Sequence, residues 1–294
     1  MIKNYTFMIH YNWNCMKNTV AIICDCDETL APDTTNFWLQ TNRINTKDFW
    51  NRHEKYVAQG WDPPIAWMTM ILQLIQDDKI KENNNESLGK LGKKIQPYKG
   101  VPEFILQLKK MISRNDSFVE FGINLEFYII SSGFEDLING TNFSKYFKEI
   151  FGGQFAENNR GIISTIKSSV TFTEKTKFLY AINKGISKSE LRKDPSRVND
   201  SVGDEKRRIP FEHMVYLGDS PGDIPCFSAV KGQGGSSIGI MGKRTTMKGL
   251  KLARGNRTTV GPYTRNYQRG SDLRRMLETI VNKIGYEIVE KNRS

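Results

Sequence analysis

Four short, mainly apolar segments, three of them followed directly by polar or glycine residues, constrain the fold of this chain more than any other feature of its sequence. They are TVAIIC (19–24), EFYII (126–130), MVYL (214–217) and SSIGI (236–240). Short, mainly apolar segments of this kind are typical of strands buried on both faces of a sheet. Between and after them, apolar residues recur at helical spacing, as in residues 104–112 and 273–284. This alternation predicts an α/β fold with a parallel central sheet covered by helices on both faces.

The composition describes an ordinary folded protein and excludes several classes. Of 294 residues, 38% are hydrophobic and 26% are charged, which suits one large domain or a core with a smaller insert. Four cysteines are too few for a disulfide scaffold, and three histidines without helical pairing do not fit a zinc protease. Cys24 and Cys26 are therefore interpreted as structural residues, and we predict a reduced, cytoplasmic protein.

Neither a membrane span nor a signal peptide is predicted. No apolar run approaches the roughly 18–20 residues that a span requires. Residues 1–15 lack a continuous apolar centre and a small-residue cleavage site. We assign residues 1–18 to an N-terminal extension and predict no membrane partner.

The region between the first two predicted strands differs in character from the rest of the chain. Four of the five tryptophans lie between residues 36 and 96, and apolar residues recur at helical spacing over 65–75. We predict that residues 36–96 form a mainly helical insert, which divides the core into residues 19–35 and 97–294. The polar stretch KENNNESLGK (81–90) is predicted to be a surface loop.

Three polar clusters follow the predicted strands. DCDET begins at Asp25, SSG begins at Ser131, and GDSPGD spans Gly218 to Asp223. In open α/β sheets, ligands bind at the edge formed by the carboxyl ends of the strands. We therefore expect the three clusters to converge on one crevice.

The acidic residues of the first and third clusters predict a cation site. Asp25 and Asp27 lie two positions apart, so in an extended backbone their side chains point to the same side. Joined by Asp219, these carboxylates repel one another unless a cation lies between them. Hard oxygen ligands with positions open for water and phosphate favour Mg²⁺.

The same residue types suit phosphoryl transfer. A metal-held aspartate can attack phosphorus, and a second aspartate can protonate the leaving oxygen and then deprotonate water. A hydroxyl can hold a phosphoryl oxygen, and a lysine can neutralise the growing charge. Strand register favours Ser131 over Ser132 for the hydroxyl. Lys175 is the favoured lysine, with Lys167 and Lys177 as alternatives.

The clusters resemble, in order and spacing, the four motifs of the haloacid dehalogenase superfamily of hydrolases. The matching elements are DCDET, the strand that ends in Ser131, Lys175, and GDSPGD. The resemblance spans roughly Thr19 to Ile240. It implies a Rossmann-like three-layer α/β sandwich, with a helical cap domain inserted after the first strand.

The resemblance also implies a role for each motif residue. Asp25 would be the nucleophile that carries an aspartyl-phosphate, and Asp27 would be the acid/base. The Mg²⁺ ligands would be Asp25, the backbone carbonyl of Asp27 and Asp219, supported by Asp223. The phosphate would be bound by Ser131, Ser132, Gly133 and Lys175, and Thr29 would brace the loop.

Asp27 and the position of the insert indicate a branch of that superfamily. Members that cleave halides or phosphonates lack an acid at this position, so Asp27 favours a phosphatase or phosphotransferase acting on a phosphorylated small molecule. The insert resembles the type 1 cap of phosphoserine phosphatase-like members, and SSGF (131–134) is similar to their second motif. Gly222 stands where they often carry Asn, and residues 192–208 form an extra polar loop, so the substrate stays open.

Most of the excess positive charge lies near the C-terminus. The net charge is +11, and Lys243–Arg275, with ten bases and one acid, carries +9 of it. Tyr263 and Tyr267 lie among these bases, as aromatic residues do in some single-strand nucleic-acid binders. A solvated face is the favoured interpretation, ahead of retention of a phosphorylated substrate and of nucleic-acid binding. The alternative to an enzyme is a non-catalytic phosphate- or nucleic-acid-binding protein on the same fold.

Overall fold

A computed structural model of the chain describes residues 17–241 and 257–293. Its strands are β1 Thr19–Cys24, β2 Asn124–Phe134, β3 Glu149–Glu157, β4 Ile163–Ser168, β5 Met214–Gly218, β6 Ser236–Met241 and β7 Val260–Thr264. Within the described residues they form one sheet in the order β4–β3–β2–β1–β5–β6–β7. All neighbouring strands are parallel except β3 and β4, which are antiparallel. The four predicted strands are the central ones, β1, β2, β5 and β6.

Helices cover both faces of this sheet. They are α1 Thr34–Thr41, α2 Thr46–Ala58, α3 Pro63–Gln76, α4 Asn85–Gly92, α5 Val101–Ser113, α6 Asp116–Glu120, α7 Glu135–Asn139, α8 Glu174–Lys184, α9 Lys188–Lys193, α10 Ile224–Gly232 and α11 Asp272–Arg293. The hydroxyl of Ser271 accepts a hydrogen bond from the Arg274 N–H, as expected of the residue that starts α11. No helix in residues 17–241 or 257–293 is long and apolar enough to cross a bilayer.

Alternate residues of β1 pack against the two helical layers. Val20 and Ile22 belong to a core that includes apolar residues of α5 and α11. Ala21 and Ile23 belong to a second core with apolar residues of α8 and α10. All four β1 side chains are buried. This arrangement confirms the predicted three-layer α/β sandwich.

Four helices, α1 to α4, occupy the region between β1 and α5. Each begins at a polar side chain that accepts a hydrogen bond from a first-turn N–H, namely Asp33, Asn45, Asp62 and Asn84. The loop predicted over residues 81–90 was wrong for its second half. Asn84 and Ser87 form a capping box that starts α4 there.

The sequence pattern does not predict the outer strands β3, β4 and β7. The buried middle of β3 contains two adjacent glycines, β4 is largely exposed, and β7 includes Gly261 and Pro262. Glycine and proline are poor strand formers by themselves, so these segments depend on pairing with a strand already in place. Through its pairing with β6, β7 brings the residues that follow it to the carboxyl edge of the sheet.

Candidate active site

The three predicted clusters meet at the carboxyl edge of the central strands. Asp25 directly follows β1, and its N–H donates to the Leu217 carbonyl of β5 at 2.8 Å. Ser131 lies in β2 beside β1, and Asp219 directly follows β5. Parallel pairing therefore brings together residues that lie far apart in the chain.

The carboxylates of Asp25, Asp219 and Asp223 form the negative centre of this edge. One oxygen of each lies within 4.8 Å of one oxygen of the other two. Burial raises the pKa of Asp25 to about 7, although Lys175 opposes the shift. Burial, then repulsion from Asp25 and Asp223, raises the pKa of Asp219 to about 8. Among the described residues, these three carboxylates outnumber the one lysine that pairs with them, and the cluster could hold a divalent cation.

Lys175 is the cation that the protein itself places in the cluster. Its Nζ donates to Asp25 Oδ1 at 2.9 Å and to Asp223 Oδ1 at 2.7 Å, and its side chain is buried. Burial acts to lower the pKa of Lys175, but Asp223 and Asp25 outweigh this effect and raise it. The alternatives Lys167 and Lys177 do not make these contacts. Lys167 is exposed, and Lys177 pairs with Glu174 on the surface of α8.

Asp223 is fully buried, and four donors engage its carboxylate. Oδ1 accepts from Lys175 Nζ and from the Tyr216 hydroxyl, at 2.7 and 2.8 Å. Oδ2 accepts from the N–H and the hydroxyl of Ser220, at 3.0 and 2.9 Å. A carboxylate has about four lone-pair sites, so direct ligation of a metal by Asp223 requires that one donor be displaced. The Tyr216 contact is one that the sequence does not indicate, because apolar residues flank Tyr216 in the buried strand.

The Asp27 carboxylate lies beside β2 and the first residue of α1. Its Oδ1 accepts from the Thr34 N–H at 2.7 Å, at the first residue of α1. Burial, then Asp33, raises the pKa of Asp27 to about 7, although the Thr34 hydrogen bond opposes the shift. Gly133 permits this approach, because a Cβ there would lie 2.6 Å from Asp27 Oδ2. A group that titrates near neutrality can both donate and accept a proton there.

The remaining predicted residues line the same edge. Ser131 is buried, and its hydroxyl accepts from the Gly133 N–H at 3.0 Å, whereas Ser132 is partly exposed. Thr29 is buried, and its carbonyl accepts from the Tyr267 hydroxyl at 3.1 Å. The Thr29 hydroxyl has no hydrogen-bond partner among the described residues.

Solved structures with a similar fold include phosphoserine phosphatases. A phospho-aspartyl intermediate analogue of phosphoserine phosphatase matches with a TM-score of 0.54 and 16% identity, covering 90% of this chain and 99% of that one. A phosphoserine phosphatase in apo form gives a TM-score of 0.52 and 16% identity, covering 88% and 98%. A probable phosphoserine phosphatase from Vibrio cholerae gives 0.50 and 11%, covering 94% and 68%.

The chain has the phosphoserine phosphatase fold. This is the fold that the resemblance of the four sequence motifs implies. Among curated proteins, an uncharacterized protein of Borreliella burgdorferi is 23% identical over 239 residues, which are 73% of this chain and 79% of that protein. No family profile matches the chain.

The cysteines near the site of this phosphoserine phosphatase fold are free thiols. Cys24, Cys26 and Cys226 are buried and unbridged. Burial raises the pKa of Cys226 to about 12 and raises that of Cys26 well above its usual value. Because the thiolate is the reactive and metal-binding form, these side chains pack as small apolar groups. Cys15, with the rest of the predicted N-terminal extension up to residue 16, lies outside the described residues.

Part of the basic C-terminal segment also contacts the site. Lys243, Arg244, Lys248, Lys251 and Arg254 lie outside the described residues. Arg265 pairs with Glu28, and Tyr267 is buried with its ring 4.7 Å from that of Phe104. Arg274 is buried and donates to the Phe104 carbonyl at 2.6 Å. Tyr267 and Arg274 are therefore packed inside the fold, which corrects the interpretation of the whole segment as a solvated face.

Proposed function

We propose that this protein is a Mg²⁺-dependent phosphatase that hydrolyses a phosphomonoester through an aspartyl-phosphate on Asp25. The observation that carries the proposal is the buried network of ion pairs that joins Asp25, Lys175 and Asp223 beside Asp219. A further aspartate, Asp27, lies two residues from Asp25. A protein that only binds phosphate has no need of an acid/base aspartate whose pKa is near neutrality.

The donor set of the site fits Mg²⁺. Asp25 and Asp219 would supply carboxylate oxygens and Asp27 its backbone carbonyl, all hard oxygen ligands. Asp223, whose oxygens already accept four hydrogen bonds, would hold Lys175 in place and add negative charge near the metal. Bound Mg²⁺ supplies the positive charge that lets an anionic phosphate approach this acidic edge.

The reaction follows in two steps from the two aspartates. A carboxylate oxygen of Asp25 forms a bond to phosphorus as the bond from phosphorus to the ester oxygen breaks, and Asp27 gives its proton to the departing alkoxide. Asp27 then takes a proton from water, whose oxygen attacks phosphorus. The bond between phosphorus and Asp25 breaks, and inorganic phosphate leaves. Lys175 and the Ser131 hydroxyl would stabilise the phosphoryl oxygens, with Ser132 and Gly133 beside them.

The helical insert would act as a cap over the site. Supporting this, α1 begins at Thr34 in contact with Asp27, and the rings of Trp38 and Trp67 pack edge-on against Phe134 after the second motif. Closure of residues 36–96 over the core would exclude bulk water and select the substrate, which we expect to be a phosphorylated small molecule.

Turnover with and without divalent cation tests the proposal. Purified protein is assayed with p-nitrophenyl phosphate and a panel of metabolite phosphates, in Mg²⁺ and in chelator, with inorganic phosphate as the measured product. We expect turnover in Mg²⁺ and at least about 100-fold less in chelator, because the carboxylates then repel the substrate. Chelator-insensitive turnover would overturn the mechanism. Phosphate transfer to an added alcohol in place of water would identify a phosphotransferase.

The variant Asp27→Asn tests the two-step route. p-Nitrophenolate needs no proton to depart, so the variant should still form the intermediate and release about one nitrophenolate per active site in a rapid burst. The next step lacks its base, so steady-state turnover should fall about 10²–10⁴-fold. An alkyl phosphate, whose leaving group requires protonation, should give no burst. Equal loss of both phases would contradict the acid/base role of Asp27.

A further inference from the structure

Glu28, between Asp27 and Thr29, has an unusual backbone conformation. Its φ is +57°, and its N–H donates to the Ala31 carbonyl at 2.8 Å. A residue with a Cβ is unfavourable in this left-handed region, so contacts elsewhere must hold it there. The turn that carries both proposed reacting aspartates therefore depends on what binds Glu28.

Three donors from separate parts of the chain converge on the Glu28 carboxylate. Oε1 accepts from the Asp33 N–H at 3.3 Å, and Oε2 accepts from the Tyr98 hydroxyl at 3.1 Å and pairs with Arg265. The Arg265 guanidinium also donates to the Glu28 carbonyl at 3.3 Å and lies 4.5 Å from the centroid of the Tyr98 ring. Burial, then the negative charges of Asp219 and Asp27, raises the pKa of Tyr98, so its hydroxyl remains a donor at neutral pH.

Tyr98 and Arg265 reach Glu28 from two segments that are far from it in the sequence. Tyr98 lies in the segment that returns from the insert, where its N–H donates to the Leu30 carbonyl at 2.8 Å. Arg265 directly follows β7 and is 237 residues from Glu28. We call Tyr98 and Arg265 the Glu28 clamp.

The peptide bond between Asp27 and Glu28 connects the clamp to the site. In a planar trans peptide, the Asp27 carbonyl and the Glu28 N–H point in opposite directions. The N–H is fixed on Ala31, so the conformation of Glu28 sets the direction of the carbonyl. We propose that Arg265 and Tyr98 are positioning residues that act through Glu28 to orient the Asp27 carbonyl and carboxylate. This inference rests on the proposed function, in which that carbonyl is a metal ligand.

The contacts of Arg265 favour this role over a direct contact with substrate. Its guanidinium is engaged by a carboxylate, a backbone carbonyl and an aromatic ring, and its side chain is only 26% exposed. Arg269, four residues further on, is exposed and offers a matched control that removes the same charge from the same segment.

Steady-state kinetics of single variants give the first test. Arg265→Ala should lower kcat about 10–100-fold with KM changed less than about twofold, as is usual when a partner that orients a ligand is lost. Arg265→Lys should recover part of the loss, because it keeps the charge but not the fork of donors. Tyr98→Phe should have a smaller effect of the same kind, and Arg269→Ala and Tyr263→Phe should match the wild type. A rise in KM with unchanged kcat in Arg265→Ala would indicate substrate contact and overturn the inference.

A double-mutant cycle tests whether Arg265 acts through Glu28. In a Glu28→Gln background, Arg265→Ala should lower kcat by less than about threefold, because the shared interaction is already lost. Independent, multiplying effects would overturn the inference.

Mg²⁺ binding without substrate gives a readout that a purely structural role would not move. Calorimetric titration with Mg²⁺ should show about 10-fold weaker binding in Arg265→Ala and no change in Arg269→Ala. Lower melting temperature with unchanged Mg²⁺ affinity and unchanged kcat would overturn the positioning role. Wild-type protein that binds Mg²⁺ without hydrolysing any phosphate would overturn the proposed function. The Mg²⁺ affinities of the variants would then decide whether the Glu28 clamp has a positioning role. Wild-type protein that does not bind Mg²⁺ would overturn both.

Discussion

Two charged clusters lie at opposite ends of the sheet. The pKa of Asp219 in one of them is raised, whereas the pKa of Glu126 in the other is lowered. At the carboxyl edge, Lys175 pairs with Asp25 and Asp223, and burial with repulsion from these two acids raises the pKa of Asp219 beside them to about 8. Near the amino end of β2, Glu126 is the acid of the second cluster. Burial alone would raise the pKa of Glu126, but hydrogen bonds from basic and hydroxyl groups outweigh it and lower the value to about 2.

The difference lies in how each cluster is neutralised. Glu126 accepts from Arg208 with both oxygens, at 2.5 and 2.8 Å, from Lys148 at 2.6 Å and from the Tyr128 hydroxyl at 2.5 Å. These donors from the protein itself neutralise the Glu126 carboxylate, so the Glu126 cluster needs no bound ion. The cluster at the carboxyl edge has three acids, and among the described residues one lysine pairs with them. The charge of Glu126 is thus fully paired, whereas the carboxylates at the carboxyl edge could still hold a cation.

The largest expected effect is that of Asp25→Asn. If Asp25 is the nucleophile, turnover should fall by about 10⁴-fold or more, because an amide does not form the acyl-phosphate. The melting temperature in chelator should stay the same or rise, because one of three repelling carboxylates is gone. Steady-state kinetics and thermal melts measure both quantities. Glu126→Gln should leave kcat unchanged, and retained turnover in Asp25→Asn would refute the assignment.

Removal of Lys175 should affect stability most. Lys175→Ala leaves Asp25 and Asp223 buried without their cation, which should lower the free energy of unfolding by about 3 kcal/mol in chelator at pH 8. Added Mg²⁺ should recover part of the loss. Denaturant melts measure this change. Lys177→Ala is the matched control, and loss of its exposed pair with Glu174 should cost less than about 0.5 kcal/mol.

Disruption of the Glu126 cluster should reduce stability without changing turnover. Glu126→Gln leaves Arg208 without its charged partner and should cost about 1–3 kcal/mol, less than a fully buried pair because Lys148 and Arg208 remain partly exposed. Glu86→Gln, which breaks an exposed pair with Lys90, should leave the free energy of unfolding almost unchanged. The same denaturant melts compare the two variants. A Mg²⁺-dependent effect in Glu126→Gln would contradict the separation of the two clusters.

Without metal, the stability of the protein should depend on pH. The pKa values of Asp25, Asp27 and Asp219 are raised to about 7, 7 and 8. Between pH 4 and 8, the folded protein therefore keeps protons that the unfolded chain has released, so the free energy of unfolding falls as pH rises. Melts in chelator at pH 5.5 and 8.0 should show this decline, and Mg²⁺ should reduce it. The lowered pKa of His213 acts in the opposite direction. Because His213 is away from the cluster, it contributes equally to the melts with and without Mg²⁺.

Much of the site follows from local pattern. Three of the predicted strands are short, apolar and followed by a polar cluster, and parallel pairing places the carboxyl ends of such strands at one edge. This rule suffices to bring Asp25, Ser131 and Asp219 together. The choice between Lys175 and Lys177 is harder, because both lie in the first turn of α8. Residues two positions apart on a helix point to nearly opposite sides, so only one of them can enter the buried cluster.

The outer strands and the contacts of Glu28 could not be predicted in the same way. β7 has Gly261 and Pro262 in a five-residue strand, and its placement depends on the exposed edge of β6. Arg265 is one of ten bases in its segment, and nothing in the local sequence distinguishes it from Arg269. Its position at Glu28 results from how β7 is added to the sheet.

The sequence by itself determined the α/β fold, the central strands and most of the acidic residues that meet at the carboxyl edge, because alternation of apolar and polar residues acts over a few neighbouring positions. Only the tertiary structure decided which charges compensate one another. Lys175 is 150 residues from Asp25, and Arg265 is 237 residues from Glu28. Pairs so distant in the chain come into contact only when the whole sheet is assembled. The electrostatic field at the carboxyl edge therefore depends on the assembled sheet.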